Sequence, residues 1–157
     1  MNPYLLLGLE AGPRIIQTLV NQIERHRHDE PTHENRFTPR EVIAHLADWE
    51  PILLERMKIG VQSPGATVDG IDEGQRAIDQ GYANKEVAVE CDSFKTCRAL
   101  TVAWLAERSP ADWDKYIVHN ERGNQTVRDL ANTLLAHDVY HIDQLCEVVG
   151  DKVASTW

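Results

Sequence analysis

The stretch TVRDLANTLLAHDVYHIDQLCEVVG, residues 126–150, predicts the last and longest helix of the chain. Its apolar side chains recur at three- and four-residue spacing, which is typical of an amphipathic helix. Thr126 with an acid three residues on predicts the capped start, and Gly150 predicts the end. His137 and His141 lie on the same arc as the leucines, so we expect both imidazoles to face the protein interior.

A second stretch, TPREVIAHLADWEPILLERM at residues 38–57, places a third histidine in a similar setting. Thr38 is the predicted N-cap, Pro39 fits the first helical position, and Glu41 completes a capping box. Apolar residues surround His45 on one face of this helix, so its ring is also expected to point inward. The chain therefore offers three inward-facing imidazoles from two helices.

The remaining segments complete an all-α architecture. Helical patterns cover residues 3–27 and 92–109, and a Gly- and Pro-rich crossover at 61–91 contains a short helical candidate at 71–80. Four long helices with one long connection, between helices 2 and 3, predict a four-helix bundle with a changed direction pattern. Almost nothing is typical of strand, and the length of 157 residues suits one domain, 1–157.

Charge and cysteine usage narrow the partners. The net charge is −9 with a pI near 5.2, and such a surface repels phosphate backbones and anionic lipid. We therefore expect a small-molecule substrate, with neither nucleic acid nor membrane as partner. The N-terminal stretch lacks the basic region of a signal peptide. The three cysteines are odd in number and form no CxxC pair, which favours a cytoplasmic location; they are Cys91, Cys97 and Cys146.

A divalent metal is the common partner that would best satisfy three buried imidazoles, His45, His137 and His141. Three neutral imidazoles leave a coordination position open, which is typical of catalytic zinc sites; satisfied core histidines are the alternative. Asp48, one turn from His45, and Asp138, beside His137, are candidates for orienting a ring or accepting a proton. Metal affinity is expected to fall below about pH 6, where imidazoles protonate.

The chain resembles the DinB/YfiT-like superfamily in an ordered set of segments. These are TPREVIAHLADWE, then Arg98 on the next long helix, then SPADWDKYIVHNERGNQTVRDLANTLLAHDVYHIDQL. The resemblance implies a DinB-like bundle with an up-down-down-up pattern. It places His45, His137 and His141 at the family's three ligand positions, with zinc or nickel as the usual metals. It also implies homodimers and, in some relatives, low-molecular-weight thiols such as bacillithiol or mycothiol.

Three functions remain open from the sequence. The first is a metal-dependent thiol S-transferase, in which the cation lowers the pKa of a thiol that attacks an electrophile. The second is a metal-dependent hydrolase using metal-bound hydroxide, with Asp48 as a candidate catalytic residue for either enzyme. The third is a non-catalytic, dimeric metal- or ligand-binding bundle. A second apolar strip on the last helix would supply its interface: Leu135, Val139, Ile142 and Cys146.

Overall fold

The computed structural model describes residues 2–31 and 33–154. Within these ranges the chain forms five α-helices and a small three-stranded sheet. The helices are α1 Pro3–Val20, α2 Pro39–Gln62, α3 Glu73–Asp79, α4 Val87–Ala106 and α5 Val127–Ala154. The strands are β1 Thr67–Val68, β2 Tyr116–His119 and β3 Gly123–Thr126. The long helices α1, α2, α4 and α5 form the predicted four-helix bundle.

Contacts at the helix ends fix the direction of each helix. Gly60 near the end of α2 lies against Ile117, which follows α4, so α2 and α4 end on the same side. The start of α5 returns from that side, because Val127 donates to the backbone carbonyl of Lys115. Along α1, Gly8 packs on Leu135 of α5, and Gly12 and Asp138 then meet further along both helices. The pattern is therefore up-down-down-up, as predicted.

The capping box predicted for α2 is present. Thr38 Oγ1 accepts from the Glu41 backbone N–H at 3.3 Å, and the Glu41 carboxylate accepts from the Thr38 N–H at 2.9 Å. These reciprocal bonds satisfy two of the donors that a helix start leaves unpaired. They define the start of α2, the helix that carries His45. The predicted boundaries of the other helices are less accurate, since α1 ends at Val20 and α4 begins at Val87.

The sheet was not predicted. β1 pairs parallel with β2, and β2 pairs antiparallel with β3 in the register Tyr116↔Thr126. These strands have two to four residues, and β3 is almost entirely polar, so no alternating apolar pattern reveals them. The sheet ties the crossover after α2 to the connection between α4 and α5, and so fixes one end of the bundle.

Two apolar clusters fill the bundle, one towards each end. Leu9, Met57 and Leu130 belong to the cluster near the sheet, whereas Ile16 and Phe94 belong to the opposite one. Between them, α2, α4 and α5 contribute a layer of polar side chains, which α1 contacts through the Leu9 backbone carbonyl. This layer contains every histidine that the sequence singled out as a metal ligand.

None of the helices in the described part of the chain is long and apolar enough to cross a membrane.

Candidate metal centre

The three predicted histidines meet in the middle of the bundle. His45 Nε2 lies 2.8 Å from His137 Nε2, and His141 Nε2 lies 3.1 Å from the same atom. One ring nitrogen from each residue can be chosen so that all three lie within 4.8 Å of one another. The i, i+4 spacing brings His137 and His141 together on α5, and the packing of α2 against α5 supplies His45.

Gln144 determines which nitrogen of His141 carries the proton. Its amide Nε2 donates to the Phe37 carbonyl at 2.7 Å, and a carbonyl can only accept. The amide oxygen therefore faces His141 Nδ1, at 3.1 Å, and that nitrogen must be the donor. As a result His141 Nε2 presents a lone pair to the other two rings. Hydrogen bonds of this kind fix the orientation of metal-binding imidazoles in many proteins.

Aromatic rings enclose His45. Phe37, Trp49 and Tyr82 lie with ring centroids 5.2, 5.7 and 6.1 Å from its imidazole. Its Nδ1 is buried and has no hydrogen-bond partner in the described part of the chain. The ring is therefore held by packing, and its Nε2 is the atom directed at His137.

The arrangement of nitrogens fits a cation. His137 Nε2 faces a ring nitrogen on each side. One of these nitrogens, His141 Nε2, is unprotonated and presents a lone pair. A single proton on His137 satisfies at most one of the two contacts, whereas a divalent cation accepts all three lone pairs at once. The donor set of three imidazoles suits zinc and nickel, among other divalent ions.

All three imidazoles are held neutral. Burial lowers the pKa of His45 to about 2, with the neighbouring His137 and His141 adding to the shift. Burial and His141 lower the pKa of His137 to about 3, and burial lowers that of His141 to about 4. Protons should therefore compete with a metal for these nitrogens only at a lower pH than the pH 6 expected from an ordinary imidazole.

A cavity of about 450 Å³ opens onto the three rings. It gives a small molecule access to the nitrogens from the side of the α1–α2 connection and the crossover. Its lining comprises Asn35, Arg36, Phe37, His45, Glu73, Gly74, His137, Tyr140, His141 and Gln144.

Within the described structure, neither predicted acid forms a hydrogen bond or ion pair with the three histidines. Asp48 accepts from Arg76 at 2.5 and 2.8 Å and from the Tyr82 hydroxyl at 2.6 Å. Burial alone would raise the pKa of Asp48, but these hydrogen bonds outweigh it and lower the pKa. Asp48 thereby fastens the crossover to α2, and its catalytic role stays a prediction. Asp138 turns away from its neighbour His137 and pairs with Arg98.

Arg98 joins two buried carboxylates beside the histidines. It donates to Glu50 at 2.9 and 2.8 Å, to Asp138 at 2.5 and 2.9 Å, and to the Leu9 carbonyl at 3.0 Å. Burial would lower the pKa of Arg98, but the bonds to Asp138 and Glu50 raise it instead. A Cβ atom at Gly12 would lie 2.2 Å from an Asp138 oxygen, so this close approach requires glycine.

The sequence patterns did not reveal several residues of this layer. Glu50 follows a tryptophan on α2, and nothing in its local sequence predicts burial. Gln144 could have been found, because it follows His141 at the i, i+3 spacing that brings helical side chains together. Arg36 and Glu73 lie on loop and crossover segments, whose approach to the site only the tertiary fold determines.

The fold and the site define a class of protein: an up-down-down-up helical bundle in which three histidines converge beneath an open cavity. The chain belongs to the DinB superfamily, whose sequence pattern it matches over residues 9–145.

Relatives with known names or structures extend this picture. An Oceanobacillus iheyensis protein named as a candidate metal-dependent hydrolase is 22% identical over 142 residues, covering 88% of this chain and 82% of that protein. YfiT from Bacillus subtilis, described as a probable metal-dependent hydrolase, superposes with a TM-score of 0.89 at 16% identity, over 96% of this chain and 86% of YfiT. A mycothiol-dependent maleylpyruvate isomerase superposes with a TM-score of 0.73 at 12% identity, over 90% of this chain but 59% of the isomerase.

Proposed function

We propose that the protein is a divalent-metal-dependent enzyme in which His45, His137 and His141 hold the metal, with zinc or nickel as the favoured ions. The observation that carries the proposal is the convergence of three imidazole Nε2 atoms beneath an open cavity. Three protein ligands leave a coordination position for a substrate or solvent molecule, as in catalytic zinc sites.

The reaction we favour is transfer of a low-molecular-weight thiol, such as bacillithiol or mycothiol, to an electrophilic substrate. When bound, the metal lowers the pKa of a coordinated thiol or water and so supplies a nucleophile at neutral pH. The sulfur forms a bond to the electrophilic carbon, the leaving group departs with its electron pair, and the thiol proton passes to solvent. The chain's own residues position the imidazoles and shape the cavity. This reaction needs no protein base, and the two acids predicted near the histidines, Asp48 and Asp138, are already paired with arginines.

A metal-dependent hydrolase is the second candidate. Glu73, at the first turn of α3, is exposed and lines the same cavity, so one carboxylate is available there as a general base. The names of the Oceanobacillus relative and of YfiT point in the same direction. Hydrolysis of an ester or amide without any added thiol would favour this candidate.

A non-catalytic dimeric bundle is the third candidate, and a homodimer is compatible with all three. Val139 and Cys146 of the predicted apolar strip are exposed on α5, whereas Leu135 and Ile142 pack against the core clusters. The strip is therefore only half available for a partner. A cytoplasmic location remains a prediction from the cysteine pattern.

Metal analysis of the purified protein beside a His137→Ala variant tests the proposal. We expect about one divalent ion per wild-type chain and almost none in the variant, since one of three ligands is lost. Tyr116→Ala, at a site away from the cavity, serves as the control and should retain its metal. Equal metal content in the wild-type and His137→Ala proteins would contradict the proposed site.

Activity assays then separate the three candidates. The metal-loaded protein is incubated with an electrophile and candidate thiols, and with esters or amides in the absence of thiol. Conjugation that needs both thiol and metal supports the transferase. Thiol-independent turnover supports the hydrolase. Background activity in every assay, together with loss of a dimer on metal removal, supports the non-catalytic bundle.

A further inference from the structure

The cavity above the histidines carries one fixed positive charge, that of Arg36. The guanidinium carbon lies 5.0 Å from the centre of the Tyr140 ring, and its Nη1 donates to the Tyr140 hydroxyl. The Tyr140 ring in turn lies 5.0 Å from the His141 ring. Stacking and the hydrogen bond together hold Arg36 in one orientation, two ring contacts from the candidate metal ligands.

Arg36 differs from three other arginines that the fold holds in place. Arg40, Arg76 and Arg98 each bond a carboxylate at 3.0 Å or less. Arg36 has no carboxylate within ion-pair distance in the part of the chain that the structure describes. Its Nε is moreover buried, with no hydrogen-bond partner among the residues that the structure describes. The guanidinium end is open to a ligand: Nη1 has one N–H beyond its bond to Tyr140, and Nη2 forms no hydrogen bond within the described residues, so these N–H groups can receive an acceptor from outside the chain.

The charge of Arg36 acts on the histidine site. Arg36 lines the same cavity as the three histidines, and Tyr140 contacts both its guanidinium and the His141 ring. Glu73 is the other charged group lining the cavity, and it is exposed at the mouth on α3. A chain with net charge −9 would generally repel anions, so an arginine without a carboxylate partner gives an anion a local point of attraction inside this cavity.

We propose that Arg36, oriented by Tyr140, binds an anionic group, a carboxylate, of the small molecule whose reactive atom occupies the histidine site. A planar guanidinium matches a carboxylate through paired N–H···O bonds. The inference rests on the proposed function, because it assigns the substrate or thiol cofactor a negative charge next to its reacting end. Arg36 is thus a binding residue that selects acids over their neutral esters.

The test compares two thiols, 3-mercaptopropionic acid and its methyl ester. Each is titrated into protein loaded with Co²⁺, whose visible absorption changes when a thiol binds, and each titration is repeated by calorimetry. The wild-type protein, Arg36→Gln and Arg14→Gln are compared. Arg14 is exposed on α1, away from this cavity, so its variant removes the same charge and serves as the matched control. The acid-to-ester ratio of affinities, compared between proteins, cancels the difference in acidity between the two thiols.

We expect Arg36→Gln to lower the affinity for the acid roughly tenfold, the loss of one charged hydrogen-bonded contact, and to leave the ester unchanged. Arg14→Gln should behave as wild type. An unchanged acid-to-ester ratio in Arg36→Gln would overturn the anion site while the metal site stands. An equal fall in Arg14→Gln would show a general charge effect and overturn it too. Failure of the wild-type protein to retain a metal would instead remove the proposed function, and the anion site with it.

Discussion

Two groups of buried polar side chains lie in the middle of the bundle, and they differ in how their hydrogen-bonding capacity is used. Arg98 makes five hydrogen bonds, as many as a guanidinium has N–H groups. The three histidines instead point nitrogens at one another, and His45 Nδ1 has no partner within the described residues. The histidine group opens onto a cavity with its lone pairs unshared, whereas Arg98 lines a different cavity with all of its N–H groups already bonded.

The difference distinguishes a buried polar cluster that stabilises the fold from one that can bind a ligand. A buried polar cluster whose groups all have partners has nothing to offer a ligand, and it stabilises one relative arrangement of the helices. A buried cluster with unshared lone pairs is unfavourable by itself, and a cation removes that cost. The Arg98 cluster thus holds α1, α2, α4 and α5 in register, and the adjacent histidines use that register to converge.

The largest effect is expected from breaking the Arg98 cluster. Arg98→Met leaves Glu50 and Asp138 buried and unpaired, and should lower the free energy of unfolding by about 3–5 kcal/mol. Urea denaturation measures it. Arg128→Met, which breaks an exposed ion pair with Asp114, is the control and should cost less than about 1 kcal/mol. Similar losses in both variants would mean that the buried cluster has no special structural role.

Gln144→Ala should weaken the metal site with less effect on the fold. Without the amide, His141 is free to place its proton on Nε2, so we expect metal affinity to fall roughly 10- to 100-fold. Competition with a chromophoric chelator measures the change, and exposed Gln80→Ala is the control. Unaltered affinity would indicate that packing alone orients His141.

The pH dependence of stability should reveal the neutral histidines. Their pKa values in the folded state, about 2 to 4, lie below the unfolded value of 6.5, so the unfolded chain binds more protons below pH 6.5. The metal-free protein should therefore lose stability from pH 6.5 towards pH 4, by up to about 1.4 kcal/mol per pH unit for each imidazole. Urea midpoints across this range measure the slope. The stability of His137→Ala should fall less steeply with decreasing pH than that of the wild-type protein. Identical slopes would show that His137 is not held neutral.

The smallest effect is expected at Asp48. Asp48→Asn keeps the shape of the side chain and weakens the partly exposed pair with Arg76, so stability should fall by less than about 1 kcal/mol. Metal content should not change, because Asp48 makes no contact with the histidines in the described structure. A fall in turnover of a hundredfold or more, with metal retained, would instead support the catalytic role predicted from its sequence position.

Local patterns were sufficient for the long helices and for the inward position of the three histidines. The capping box at Thr38 and the i, i+4 pair of His137 and His141 involve residues close in sequence, where periodicity and side-chain direction are reliable. The inward position of His45 followed from the same periodicity. The helix ends were less accurate, since α4 starts five residues before the predicted Asp92, in a stretch that gives no capping signal.

Contacts between distant segments decided the rest. The partners of Asp48 and Asp138 lie on other helices, Arg76 and Arg98, so neither acid lies where its neighbouring histidine suggested. The small sheet and the approach of Arg36 to Tyr140 also depend on segments far apart in the chain. The sequence by itself determined which faces of the helices are buried and which imidazoles point inward, because those depend on helical period. Only the tertiary structure decided which buried groups are satisfied and which remain free for a ligand, because that depends on atoms that folding brings together.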